Sequence, residues 1–219
     1  MEAAAREAAS NPTVDTVVLM INSGGGEAYS AFESAALAAK VIKDSGKKLV
    51  AYVDGTAASA AYAWASVADE VIANPMGRVG SIGVVVKLRN NSEQLKMEGI
   101  EDVYVYAGDS KIPFTKDGEF SESFIAGVQE NVDSLYAEFV SHVATNRNLS
   151  EQVVKDTQAK VFDAKTALEL GLADKIMTRE EFENYLTTGD ITMSDKLTAT
   201  MADMETNMAE MSALLEKQV

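Results

Sequence analysis

Short apolar runs alternate with helix-like segments through the first half of the chain. The runs at 14–21 and 49–53 are rich in β-branched residues and predict buried strands. Between them, residues 28–42 are Ala-rich with helical spacing, and Gly46 follows as a stop signal. Further short strands are predicted at 71–73, 82–86 and 103–106. This alternation predicts an α/β fold with a parallel sheet and helices on its faces.

The connecting segments give weaker signals. Asp54-Gly55-Thr56 predicts a turn, and residues 57–68 after it are helix-like. Residues 107–121 are polar and contain glycine and proline, which indicates a loop. Residues 122–146 have an apolar face at helical spacing, and Ser150 is a plausible N-cap of the next helix.

The character of the sequence changes near residue 187. Residues 187–192 are linker-like, so a main domain at 1–186 is expected to precede a separate helical segment at 193–219. In that segment, large apolar residues recur at alternating spacings of four and three: Leu197, Met201, Met204, Met208, Met211 and Leu215. Two interpretations fit this a/d pattern: an amphipathic helix packed on its own domain, or a short coiled coil that binds a partner.

Composition excludes several classes of site. The net charge of −15 disfavours binding to nucleic acid or to anionic membranes, because both require Lys and Arg to neutralise phosphate. The chain has no Cys and a single His, so it has few of the side chains that commonly bind transition metals. No metal or organic cofactor is expected. The sequence shows neither a signal peptide nor an apolar run long enough to span a membrane. A cytoplasmic location is therefore expected.

Two small-residue motifs carry candidate chemistry. Gly24-Gly25-Gly26 follows the first strand, where glycines allow backbone N–H groups to approach a ligand, and no Lys-Ser/Thr follows as in a phosphate loop. Ser59 lies in TAASAAY at 56–62, just before a predicted helix. Acyl transfer to a serine needs a nucleophile, a base and oxyanion donors. Ser59 is the candidate nucleophile, and the N–H groups of Gly25 and Ala60 are the candidate oxyanion donors. The alternatives are that the glycines mark only a turn and that Ser59 is a helix N-terminal residue without a chemical role.

Several motifs occur in the order typical of one protease family. They are INSGGG at 21–26, TAASAAYAWASVADEVIANP at 56–75, VGSIGV at 79–84, AGDSK at 107–111 and DAKTALELGLADKI at 163–176. Over about residues 12–186 the chain resembles the signal peptide peptidase A (protease IV) family, which is related in fold to Clp protease and crotonase. The resemblance implies a Clp/crotonase-like spiral of βαβ units, followed here by a helical tail.

The resemblance also implies a Ser–Lys dyad. The family nucleophile maps to Ser59, and the family general base, a Lys in a Gly-x-x-Lys context, maps to Lys111. A Lys acts as a base when burial lowers its pKa, and Ile112, Pro113 and Phe114 are expected to help exclude water there. Lys116 is the nearest competing lysine, and His142 is expected to be structural. Gly24, Gly26, Ser81 and Gly83 are expected to bind substrate or support the site.

This sequence departs from the family pattern at three motif positions. Gly24 replaces the usual Pro, and Ala60 and Ala61 replace two glycines, which predicts a narrow pocket and substrates with small side chains. The family domain starts with a further strand and helix, so the chain is expected to be shortened at its N-terminus.

The appended segment favours one branch of the family. Lambda-type phage head maturation proteases have a similar layout, in which a scaffold segment follows the protease domain, and Met193 could be an internal start. Such an enzyme is expected to form a homo-oligomeric ring inside the procapsid. There it would cleave itself and scaffold, portal or capsid polypeptides, which residues 193–219 would contact. The alternatives are a cellular signal-peptide-peptidase-like enzyme, an inactive carrier of a scaffold helix, and a crotonase-like acyl-CoA enzyme.

Overall fold

The computed structural model describes residues 2–115 and 117–188. In this part of the chain, one sheet contains the strands β1 (Thr16–Ser23), β2 (Lys48–Ala58), β3 (Glu70–Ala73), β4 (Arg78–Gly80), β5 (Val161–Asp163) and β6 (Lys175–Ile176). The helices are α1 (Glu2–Ser10), α2 (Ala31–Asp44), α3 (Ala60–Ser66), α4 (Ser92–Met97), α5 (Glu122–Arg147), α6 (Glu151–Asp156), α7 (Ala164–Glu169) and α8 (Arg179–Thr188). A single 3₁₀ turn covers Asp109–Lys111.

The long strand β2 is the centre of the sheet. It pairs in parallel with β1 along most of its length. On its other side, residues 50–53 pair with β3, whereas residues 56–58 pair with β4. The predicted α/β class and parallel sheet are thus confirmed, with one antiparallel addition where β5 pairs with β4.

Most of the core lies between one face of the sheet and the helices that cover it. Apolar residues from β1, β2, α2, α3 and the second half of α5 meet there, and alanines line much of α2 and α3. Small side chains let these helices lie close to the sheet. Phe32 of α2 and Phe139 of α5 pack with ring centroids 4.9 Å apart, which joins the two helices.

Helix α8 covers the opposite face of the sheet. Phe182 stacks on Tyr52 of β2 with ring centroids 4.3 Å apart. At the sheet edge, the Tyr185 hydroxyl donates to the Glu70 carboxylate at 2.7 Å, and Lys48 donates to the same oxygen at 3.1 Å. These contacts fix α8 to the start of β2 and β3.

Several predicted elements differ from the observed ones. Residues 54–58 were expected to form a turn and the start of a helix, but they continue β2. The strand expected at 82–86 is instead the short β4 at Arg78–Gly80, because only residues 78–80 pair with β2. Residues 103–106 alternate like a strand, yet they pair with no other strand in the described part of the chain and are exposed.

The helices in the second half agree better with expectation. Helix α5 spans the predicted range, and Ser121 caps it by accepting a hydrogen bond from the Phe124 N–H at 3.3 Å. Ser150 caps α6 through the Val153 N–H, as predicted. The expected linker does not begin at residue 187, because Thr187 and Thr188 continue α8. Residues 193–219 and Lys116 lie outside the described residues.

Candidate active site

Ser59 occupies an unusual backbone position between β2 and α3. Its dihedral angles are φ 54° and ψ −131°, a region that L residues rarely adopt. Two sets of hydrogen bonds hold it there. The Ser59 N–H donates to the carbonyl of Gly80 at 2.9 Å, and its carbonyl accepts from the N–H groups of Tyr62 and Ala63. The chain therefore turns sharply at Ser59, as strand-to-helix turns that present a nucleophile do.

This conformation predicts a difference in stability between two variants of Ser59. Ser59→Gly is expected to be more stable than Ser59→Ala by about 1 kcal/mol, because glycine relieves a strain of about 1–3 kcal/mol but loses more freedom on folding. Urea unfolding of both variants measures the difference. Equal stability would mean that the strain at Ser59 does not exceed the cost of the additional freedom that glycine loses on folding.

Gly25 packs directly against Ser59. A Cβ built on Gly25 would lie 2.6 Å from Ser59 Cβ and 3.2 Å from Ser59 Oγ, and the Gly25 φ of 112° also favours glycine. The same Cβ would lie 2.9 Å from the carbonyl oxygen of Ala58. The structure thus brings together the two residues that the sequence assigned to nucleophile and oxyanion donor.

The two candidate oxyanion donors differ in their present partners. The Gly25 N–H donates to Ser23 Oγ at 3.2 Å, so a substrate oxygen would have to replace that hydroxyl. Ala60 is the first residue of α3, and its N–H therefore has no acceptor within the helix. Gly24 and Gly26 flank Gly25 in the same loop, and a Cβ on either would meet nothing within 4 Å.

The VGSIGV segment supports Ser59 through its backbone. Ser81 also has a positive φ, 54°, and its N–H donates to the Lys160 carbonyl at 2.8 Å. Gly80 lies so close to that carbonyl that a Cβ could not fit, and Gly83 packs on Ala159 in the same way. This packing fixes the Gly80 carbonyl that accepts from Ser59. Ser81 and Gly83 therefore position the segment, and no hydrogen bond links the Ser81 side chain to Ser59 in the described structure.

A cavity of about 660 Å³ opens beside Ser59. Gly25, Ala60 and Ala61 lie at one side of it, and Trp64 and Leu37 provide apolar walls. Glu27, Ser30 and Ser34 add polar groups from the start of α2. This volume is larger than the narrow pocket that Ala60 and Ala61 predicted, because the cavity extends from these alanines along α2 and α3.

Lys111 is not part of this cavity. It ends the exposed 3₁₀ turn, where its N–H donates to the Gly108 carbonyl at 3.0 Å and its side chain is exposed. Within the described residues, no hydrogen bond joins it to Ser59. The following Phe114 stacks on Phe120, which stacks on Phe124 of α5. Lys111 therefore belongs to a segment anchored on α5.

The only histidine has a structural environment, as expected. His142 Nε2 lies 3.1 Å from the Ala63 carbonyl, and the ring packs 5.5 Å from Phe32. Burial lowers the pKa of His142, although the Ala63 carbonyl and Glu138 act in the opposite direction. A neutral imidazole thus joins α5 to α3.

Sequence reasoning missed two residues that shape the site. Trp64 forms a cavity wall because it follows Ala60 and Ala61 by four and three residues, which places it on the same side of α3. That spacing was visible in the sequence. Gly80 holds Ser59 through a carbonyl, and no side-chain pattern could have indicated this role.

The described residues contain no group of three or more His, Cys, Asp or Glu side chains able to hold a metal ion. Within the same residues, no helix has the length and apolar character needed to cross a membrane.

The fold and the geometry around Ser59 define the class: an α/β protein of the Clp type with a serine on a strained strand-to-helix turn. One solved structure with a similar fold, a ClpP1 mutant from Listeria monocytogenes, has a TM-score of 0.50, and the match covers 82% of this chain and 88% of that chain. At 12% identity it establishes the fold alone. The model of Peptidase family S49 matches residues 41–190, and the chain belongs to that family.

Two curated relatives agree with this assignment. Capsid assembly protease C of Escherichia phage lambda is 31% identical over 172 residues, which are 78% of this chain and 39% of the relative. A putative signal peptide peptidase SppA of Enterococcus faecium is 33% identical over 169 residues, covering 77% of this chain and 49% of the relative. The chain thus spans half or less of these relatives, and the resemblance to the signal peptide peptidase family is confirmed.

Proposed function

We propose that the chain is a serine endopeptidase with Ser59 as its nucleophile. The observation that carries this proposal is the strained Ser59 turn with Gly25 packed against it. In the reaction, Ser59 Oγ attacks a peptide carbonyl carbon and loses its proton to a base. The C–N bond then breaks as the base returns the proton to the leaving amine, and water hydrolyses the acyl-enzyme.

The N–H groups of Gly25 and Ala60 are the proposed oxyanion donors. Gly25 lies beside Ser59 Oγ, and the Ala60 N–H follows the nucleophile in the chain. An oxyanion between them would be stabilised by fixed dipoles that need no reorganisation during the reaction. Ser23 Oγ holds the Gly25 N–H until the substrate arrives.

Lys111 is the proposed general base, and its position requires a further step. Its side chain is exposed outside the Ser59 cavity, so it must reach Ser59 by movement of its own segment or from another copy of the chain. The segment around it favours the second route. Val103 and Val105, a few residues before Lys111, are 78% and 96% exposed, and Val85 is 88% exposed, which is unusual for apolar residues.

We therefore include a homo-oligomer in the proposal. Covering the exposed apolar residues at 85–86 and 103–106 with a second copy would remove them from water and pair strand-like backbone. The same contact would bring Lys111 into apolar surroundings near a neighbouring Ser59. Burial of that kind lowers the pKa of a lysine and produces the neutral amine that a base requires.

Substrates are proposed to be extended polypeptides. The cavity beside Ala60 and Ala61 has room for a large side chain as well as for the small ones expected from the sequence. One relative is named a capsid assembly protease. By analogy, we propose that this chain processes phage procapsid polypeptides and itself, in the host cytoplasm or the procapsid.

Labelling with a small fluorophosphonate, followed by intact-protein mass spectrometry, tests the dyad. One adduct is expected on the wild type, mapped to Ser59, and none on Ser59→Ala. Lys111→Ala is expected to label at least about 100-fold more slowly, since general-base catalysis contributes that much. Lys165→Ala, an exposed lysine on α7, is the matched control and should label normally.

The possible outcomes separate the hypotheses. Absence of an adduct on the wild type would favour an inactive carrier. Labelling at a residue other than Ser59 would contradict the assigned nucleophile. Normal labelling of Lys111→Ala would leave the serine but remove Lys111 as the base.

A further inference from the structure

The pairing of β1 with β2 is interrupted immediately before the site. The register is regular up to Ile21 opposite Val53 and resumes at Ser23 opposite Ala57. Asn22 on β1 therefore faces a longer stretch of β2, residues 54–56. This register shift is a bulge of two extra residues on β2 within a parallel pair, and bulges bend a strand and are frequent next to active sites.

The Asn22 side chain fills the gap in the ladder. Its Oδ1 accepts a hydrogen bond from the Thr56 N–H at 3.1 Å. Gly55 makes room for it, because a Cβ on Gly55 would lie 2.5 Å from Asn22 Oδ1 and 2.8 Å from Cγ. Gly55 has no positive φ, so steric contact with the amide is the reason that a larger residue does not fit.

The hydrogen bond from the Thr56 N–H to Asn22 forms a bridge between β1, which leads to the Gly25 loop, and β2, which leads to Ser59. On β2, the bulge is where the partner changes from β3 to β4, three residues before Ser59. On β1, the strand ends one residue after Asn22 and continues into the glycine loop that contains Gly25. The distance between Gly25 and Ser59 therefore depends on how β1 and β2 are held at the bulge.

We propose that Asn22 is a positioning residue that sets the Gly25 loop against Ser59 by bridging to the Thr56 N–H over Gly55. This inference rests on the proposed acyl-transfer function of the same site. Asn22 acts through the backbone and needs no contact with the reacting atoms. A loop displaced by about 1 Å would no longer aim the Gly25 N–H at the oxyanion, and a misplacement of that size lowers rates by about 100-fold.

Four variants test the bridge: N22A, N22D, G55A and the double variant N22A/G55A. The readouts are kinact and KI for the fluorophosphonate, measured on the full chain at a temperature where thermal melts show each variant folded. N22A is expected to lower kinact by about 10- to 100-fold with KI nearly unchanged. N22D keeps an acceptor for the Thr56 N–H and is expected to lose less than N22A.

The double variant separates positioning from a general loss of structure. G55A alone should resemble N22A, because its Cβ displaces the amide. In N22A the three atoms that would lie nearest to that Cβ are absent, so N22A/G55A should be no slower than N22A. Additive losses, or N22D as slow as N22A, would overturn the proposal. A labelling rate in N22A equal to that of the wild type would also overturn the proposal. Ser59→Ala is measured in parallel, because labelling of that variant would contradict the proposed acyl-transfer function itself.

Discussion

Replacing Gly25 with alanine is expected to reduce labelling of Ser59 by about 100-fold or more, because one oxyanion donor contributes that much. The added Cβ would lie 2.6 Å from Ser59 Cβ and 2.9 Å from the Ala58 carbonyl oxygen, so the loop must move away. The φ of 112° adds strain that alanine would relieve by the same movement. The Gly25 N–H would then leave the site that it shares with Ser59.

Gly26→Ala is the matched comparison within the same loop. Its Cβ would meet nothing within 4 Å, and its φ is not positive, so the loop has no steric reason to move. We expect Gly26→Ala to lose much less labelling than Gly25→Ala. Equal losses would show that the whole loop is sensitive to any side chain. Full activity of Gly25→Ala would remove its N–H from the mechanism.

Local patterns were sufficient to predict which kinds of junction contain Gly25 and Ser59. The apolar run before Gly24 and the small residues around Ser59 indicated a strand-to-loop and a strand-to-helix junction, and the structure places Gly25 and Ser59 in contact. Long amphipathic helices such as α5 were also predictable, because helical periodicity depends on near neighbours. These features depend on residues close together in the sequence.

Features that depend on long-range pairing were not predictable. Asp54-Gly55-Thr56 has the composition of a turn, but pairing with β4 and the bridge from Asn22 keep it in β2. Residues 82–86 have the composition of a strand, but they pair with no other strand in the described part of the chain. The family resemblance also led to the prediction that Ser59 and Lys111 form one site, without indicating whether one chain supplies both.

Combining Ser59→Ala and Lys111→Ala chains tests whether one chain supplies both residues. Co-expressed Ser59→Ala and Lys111→Ala chains are expected to regain labelling at roughly one quarter of wild-type sites, if neighbouring copies mix at random around a head-to-tail contact. Half of the chains keep Ser59, and half of those would lie next to a chain that keeps Lys111. Neither variant alone is expected to label at an appreciable rate.

Intact mass makes the result unambiguous, because the two chains differ in mass and only the Lys111→Ala chain contains Ser59. An adduct on that chain in the mixture, but not in the Lys111→Ala protein alone, requires a lysine supplied by the other chain. Charged substitutions at Val103 and Val105, both highly exposed in the single chain, should then abolish the recovery by preventing contact. If the mixture stays unlabelled, while wild type labels and mixed oligomers are detected by native mass spectrometry, Lys111 must reach Ser59 within its own chain. The segment that carries it would then have to fold back toward α3, and the exposed valines would have to be covered in another way.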